Sequence, residues 1–216
     1  GIPFPEDLAR LSAENGEAML MVSSCERGMD GSPLSQGAIY TIRNLDSPAP
    51  RAQKIQLQGF DGEFYPQGLD VIFEKGTWWL HVVNDRLEKR PAVEIFKKEN
   101  SRWVYYDTLE EDHLQSPNDV ASLAHDRVMV TDDSQFSRPF WRSLAVFMGF
   151  NEGKVRYLSA SGENQALPAS FSFPNGIAIH HNHLFVADTL DGSVTRWKKS
   201  GNNHWILVES YKTGRG

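Results

Sequence analysis

The chain has 216 residues, 22 of them basic and 28 acidic, for a formal charge of −6, and 40% are apolar against 23% charged. A chain of this size buries roughly 70% of its unfolded surface and can hold a true core, while the acidic balance, with no Lys/Arg run longer than two, excludes the basic footprint of a nucleic-acid binder. The single cysteine, Cys25, excludes an internal disulfide, and the longest uncharged apolar run, 143–150, is far shorter than the roughly 18–20 residues of a membrane-spanning helix.

Along the chain, short β-type runs bounded by Gly, Asn, Asp and Pro predict strands at 18–22 and 37–42. A second group follows at 67–72, 77–83, 92–97 and 103–106, a third at 118–123, 127–131 and 154–158, and a fourth at 175–179, 183–187, 193–198 and 205–208. The grouping, about four short antiparallel strands every 50–60 residues, is that of a β-propeller blade. Runs apolar on both faces, such as WWLHVV at 78–83, suit a sheet covered on both sides better than a sandwich, the alternative all-β fold. The first unit reads as lacking its innermost strand. The opening Gly1-Ile2-Pro3 and the closing Thr213-Gly214-Arg215-Gly216 read as cuts through a longer chain, so that residues 1–216 form a single propeller domain left incomplete. One stretch departs from the pattern: 137–151 carries Trp141, Leu144, Phe147 and Met148 at helical spacing, as a cover on the propeller or as a lid touching an apolar substrate or a lipid surface.

The unit openings repeat a chemical motif. Ser116-Pro117-Asn118-Asp119-Val120 and Phe173-Pro174-Asn175-Gly176-Ile177 set an Asn after Pro at the head of an inner strand, and Tyr65-Pro66-Gln67-Gly68-Leu69 is a third copy with Gln in the Asn position. Inner strands line a propeller's channel, and amide oxygens with a few carboxylates are the ligand set of calcium. The acids are Glu6 and Asp7 near the start and Asp119 beside Asn118. Neighbours in an extended segment point opposite ways, which would send Glu6 and Asn118, with Asn175, to one site and Asp7 and Asp119 to a second. The plainer account is that Asn and Asp before strands are ordinary turn formers. His180, His181 and His183 fit a solvated hairpin better than a zinc site, and no Gly-x-Ser-x-Gly elbow, His-Glu-x-x-His or Walker loop is present.

In order, Glu6-Asp7, Gly59-Phe60, Pro66-Gln67-Gly68-Leu69, Val82-Val83-Asn84, Val93-Glu94-Ile95-Phe96, Ser116 through Val120, Thr131-Asp132-Asp133, Phe173 through Ile177 and Phe185-Val186-Ala187-Asp188 resemble the serum paraoxonase/arylesterase family over nearly the whole chain. The resemblance implies a six-bladed propeller, of which this chain is a fragment of about four blades, with two calcium ions in its channel and hydrolysis of aryl esters and lactones. It implies Glu6, Asn118 and Asn175 as ligands of a catalytic calcium, and Asp7, Asp119 and the Leu69 carbonyl as ligands of a structural one. The histidine pair proposed for the animal enzymes falls on Gln67 and Asp85, so Asp85 becomes the candidate base and Gln67 a substrate-orienting group, a simple turn acid being the other reading of Asp85. Further family ligands are expected beyond Gly216, so residues 1–216 alone are expected to bind calcium poorly and to be inactive. The family also leans toward the secretory pathway. The expected partner is a small ester or lactone, and the aromatic content near Phe136, Phe140, Trp141 and Phe147 favours an apolar one. A gluconolactonase-type sugar lactonase and a non-catalytic calcium-stabilised binding platform are the competing readings.

Overall fold

A computed structural model describes residues 1–12, 16, 18–29, 31–136, 139–149, 152–201 and 204–214, and for 139–143 the backbone only. The strands form four sheets in two compact units, Gly1–Leu109 and Glu110–Gly216. The first sheet runs β1 (Pro5–Ser12), β2 (Ala18–Ser24), β3 (Ala38–Arg43), β4 (Arg51–Lys54) in simple meander order. The second adds β5 (Leu57–Gln58) to β6 (Pro66–Glu74), β7 (Thr77–Asn84), β8 (Ala92–Glu99) and β9 (Arg102–Leu109). The third holds β10 (Pro117–Ala124), β11 (Arg127–Asp132), β12 (Lys154–Ser159) and β13 (Gln165–Ala166), with α1 (Pro139–Met148) inserted between β11 and β12. The fourth is β14 (Pro174–His180), β15 (His183–Asp188), β16 (Ser193–Lys199) and β17 (Trp205–Lys212). The architecture is therefore all-β, with four propeller blades each read from the inner strand outward.

The first unit of the sequence has a full set of strands, which corrects the expectation of a missing inner one. Its inner strand β1, PEDLARLS, buries only Ala9 and Leu11 and exposes Pro5, Glu6, Leu8, Arg10 and Ser12, so no apolar run announces it. The outer strands β4 and β13 are exposed throughout and equally silent. In contrast β7, β8 and β11 are buried on both faces, as strands flanked by neighbours must be. Phe60, Phe64 and Phe96 meet edge-on with centroids 5.6–6.3 Å apart in the first core, and Met129, Leu184, Val186 and Trp197 build the second. The α1 helix buries Ala145 and exposes Phe147 and Met148. The side chains of Phe140 and Trp141, and residues 137, 138, 150 and 151 of the predicted insertion, lie outside the described residues.

Within each unit a glycine fixes the seam between sheets. A Cβ on Gly37 would lie 2.5 Å from Pro66 Cδ and closer still to Ser24 O. One on Gly153 would lie 2.8 Å from Pro174 Cγ, 2.9 Å from Asp132 O and closer still to Pro174 Cδ. The proline that opens an inner strand thus seats directly on the backbone of the neighbouring sheet, and Gly37 N–H and Gly153 N–H donate to Phe64 O and Phe171 O at 2.8 and 2.7 Å.

Candidate functional site

All four inner strands begin with proline, which has no N–H to give the ladder and suits a strand's first position. The pairs Pro5↔Ser24, Pro66↔Asn84, Pro117↔Asp132 and Pro174↔Asp188 are each followed at once by a register shift. Such a bulge inserts a residue and re-aims side chains, a device common beside active sites. Here it falls on Glu6-Asp7, Gln67-Gly68, Asn118-Asp119 and Asn175, so Pro5-Glu6-Asp7-Leu8 is a fourth copy of the motif.

The last residue of each second strand ties down the loop entering the bulge. Asn84 Oδ1 accepts the Tyr65 N–H at 2.8 Å. Asp132 Oδ1 accepts the Ser116 N–H at 2.7 Å and Asp188 Oδ1 the Phe173 N–H at 2.9 Å, while the Ser24 hydroxyl donates to Pro3 O. The next residues, Cys25, Asp85, Asp133 and Thr189, donate their N–H to Phe4, Tyr65, Ser116 and Phe173 carbonyls at 2.9–3.1 Å and so occupy equivalent places beside the bulge.

In the first unit the structure brings Gln67 and Asp85 together, Gln67 Nε2 donating to Asp85 Oδ2 at 3.4 Å. The sequence reading missed the residue between Asp85 and Glu6. Arg27 donates from Nη1 to Asp85 Oδ2 at 3.1 Å and from Nε to Glu6 Oε1 at 3.0 Å. Its remaining contacts are the Gly31 and Tyr65 carbonyls, and its side chain is only 13% exposed. Arg27 lies on the β2–β3 connection with no motif around it. Asp7 is directed elsewhere: its Oδ2 accepts the Leu69 N–H at 2.8 Å. Below Asp85, Asn84 Nδ2 donates to the buried Glu94 carboxylate at 2.9 Å, and Thr108 Oγ1 donates to the same carboxylate at 2.5 Å, a satisfied buried network that fixes this corner. Burial pushes the nearby Cys25 thiol up, an effect opposed by the Arg27 charge.

In the second unit Asn118 Nδ2 donates to the buried Asp133 Oδ2 at 3.3 Å. Asp119 turns away from that pair: its Oδ2 accepts the Ile177 N–H at 2.8 Å and its Oδ1 the Val120 N–H at 2.7 Å. Asn175 is exposed. Burial pushes the Asp132 carboxyl up from its ordinary 3.8, against the opposing pull of the Ser116 N–H and of Arg156, whose Nε lies 3.0 Å from Asp132 Oδ2. His180 and His181 stack edge-on at 4.1 Å in the β14–β15 hairpin. Among the described residues no three His, Cys, Asp or Glu side chains are grouped for a metal. Donor chemistry at the bulges is all oxygen, amide and carboxylate, which fits a hard cation and not zinc or copper.

Repeated sheets of four or five strands with polar bulges on their inner strands define the blades of a β-propeller. Its fold alone is similar to the periplasmic gluconolactonase PpgL of Pseudomonas aeruginosa, with a TM-score of 0.59 at 16% identity over 98% of this chain and 58% of that one. The nidogen/laminin complex also aligns, with a TM-score of 0.54 at 15% identity over 90% of this chain and 59% of that one, so the architecture by itself does not select an activity. The arylesterase family model matches residues 15–215, and the chain belongs to the arylesterase family. It is 27% identical to serum paraoxonase/arylesterase 1 of Mus musculus and 28% identical to serum paraoxonase/lactonase 3 of Homo sapiens, in each case over 82% of this chain. The chain spans about half the length of these curated relatives, 50% and 51%.

Proposed function

We propose that the protein hydrolyses aryl esters and lactones with calcium as its cofactor. Glu6, Asn118 and Asn175 are assigned as ligands of a catalytic ion, and Asp7, Asp119 and the Leu69 carbonyl as ligands of a structural one. The observation that carries this reading is the bulge repeated at the head of every inner strand, which sets an acid or amide side chain at the same place in each blade. When bound, calcium polarises the substrate carbonyl and offsets the negative charge that grows on its oxygen. Asp85 serves as the general base: Arg27 and Gln67 both hold Oδ2, leaving Oδ1 to take a proton from the attacking water. Arg27 keeps Asp85 oriented, and Gln67 turns its amide toward the substrate. Phe147, exposed on α1, supplies apolar surface for an aryl group or a lipid.

The test is turnover of phenyl acetate, an aliphatic lactone and a sugar lactone by the complete protein, with and without a calcium chelator. Chelator-sensitive hydrolysis that falls in Asn118→Ala and Asn175→Ala without loss of folding supports the reading. A folded protein that turns over nothing overturns it, and preference for the sugar lactone replaces the substrate class.

A further inference from the structure

At the end of the first unit opposite Glu6, Gln67 and Asp85 lies a cleft of about 400 Å³ between the outer part of the first sheet and the β8–β9 hairpin of the second. The register places it there: Leu11↔Met19, Arg43↔Arg51 and Glu99↔Arg102 close one end of these sheets, and Pro5↔Ser24 and Pro66↔Asn84 close the other. Its lining contains four cations, Arg43, Lys54, Lys98 and Arg102, and no Asp or Glu. None of the four forms an ion pair with a described acid. Glu99, opposite Arg102 in register, is engaged with Lys97 at 3.2 Å. Four cations around one cleft repel one another, and Arg43 also faces Arg51 across the strands, a like-charge pair that costs stability. In a chain of net charge −6 that concentration calls for a ligand.

The walls say which kind. Gln53, Gln58 and Ser101 offer neutral hydrogen-bonding groups, and the buried Leu11, Met19 and Trp103 form an apolar floor. A lone carboxylate would leave most of the positive charge uncompensated, whereas a phosphate matches both the charge and the forked geometry of two arginines. The volume falls in the range of small-molecule sites. We propose that this cleft binds a phosphate-bearing ligand, its phosphate held by Arg43, Arg102, Lys54 and Lys98 and its apolar part resting on Leu11, Met19 and Trp103.

A soluble phosphorylated molecule and a phospholipid headgroup share this chemistry, and two probes separate them: inorganic pyrophosphate by titration calorimetry, and phosphatidylcholine vesicles doped with a phosphoinositide by co-sedimentation. The variant is R43Q/R102Q, both side chains being exposed and dispensable for the core, with Lys89→Gln as the control cation elsewhere. The expected result is binding of at least one probe, weakened about tenfold or more in R43Q/R102Q, unchanged in K89Q, with hydrolytic turnover unaffected. Pyrophosphate alone assigns a soluble ligand and vesicles alone a headgroup. Equal binding by wild type and R43Q/R102Q, or no binding of either probe, overturns the proposal.

Discussion

In the first unit Asp7 Oδ2 accepts the Leu69 N–H at 2.8 Å, and in the second Asp119 Oδ2 accepts the Ile177 N–H at the same distance. Gly37 against Pro66 is matched by Gly153 against Pro174. The side chains on this shared frame differ. The first unit holds two carboxylates, Glu6 and Asp85, with one guanidinium, and the second meets the buried Asp133 with the amide of Asn118. Frame and chemistry are thus separable: proline, glycine and one bulge acid set the backbone, and the neighbouring positions carry the charge pattern that a reaction needs.

The largest expected effects test the frame. Gly153→Ala and Gly37→Ala each force a Cβ onto backbone and proline atoms, and each should cost about 3 kcal/mol in urea unfolding; tolerance at one seam and not the other would break the equivalence. Next, Asp119→Ala removes the acceptor of the Ile177 N–H and Asp7→Ala that of the Leu69 N–H, and each should cost about 1–2 kcal/mol in urea unfolding. A large loss at one and none at the other would show that the two bulge acids are not equivalent. Arg27→Met should lower stability by about 1 kcal/mol and kcat more than KM, with Arg27→Lys recovering little, because one ammonium does not reproduce the fork between Glu6 and Asp85. Full rescue by lysine would reduce Arg27 to a point charge. The smallest effect is a pH slope. The folded pKa of Asp132 is raised, so the folded state holds the proton more tightly, and the stability it contributes is present below the ordinary 3.8 and is lost as pH rises above it. Asp132→Asn should flatten that descent in unfolding midpoints measured from acid toward neutral pH.

Much of the fold was legible because the buried middle strands are continuous apolar runs ended by turn residues. The strands that escaped notice are those whose packing needs few apolar side chains: β1 with two buried positions, and β4, β5 and β13 with none. Six of the predicted site residues, Glu6, Asp7, Gln67, Asn118, Asp119 and Asn175, sit on bulges, and strict alternation cannot foresee a bulge because the extra residue breaks the period of two. Arg27 and Asp133 were harder to read. Arg27 works through loop geometry that no local spacing records, and Asp133 passes for a turn acid until β11 is seen to end in the same way as β7. The basic cleft draws on cations from β3, β4, β8 and β9, so no charge run exists to mark it.

Cys25 stands at the end of β2 with 1% of its surface exposed, its N–H on Phe4 O and its thiol facing the Glu26 and Ser35 carbonyls. As the chain's one thiol, it makes the protein its own stopwatch. A small alkylating reagent can reach the sulfur only in those moments when the Glu26 and Ser35 backbone facing it moves aside, and the labelling rate therefore counts local openings at this corner.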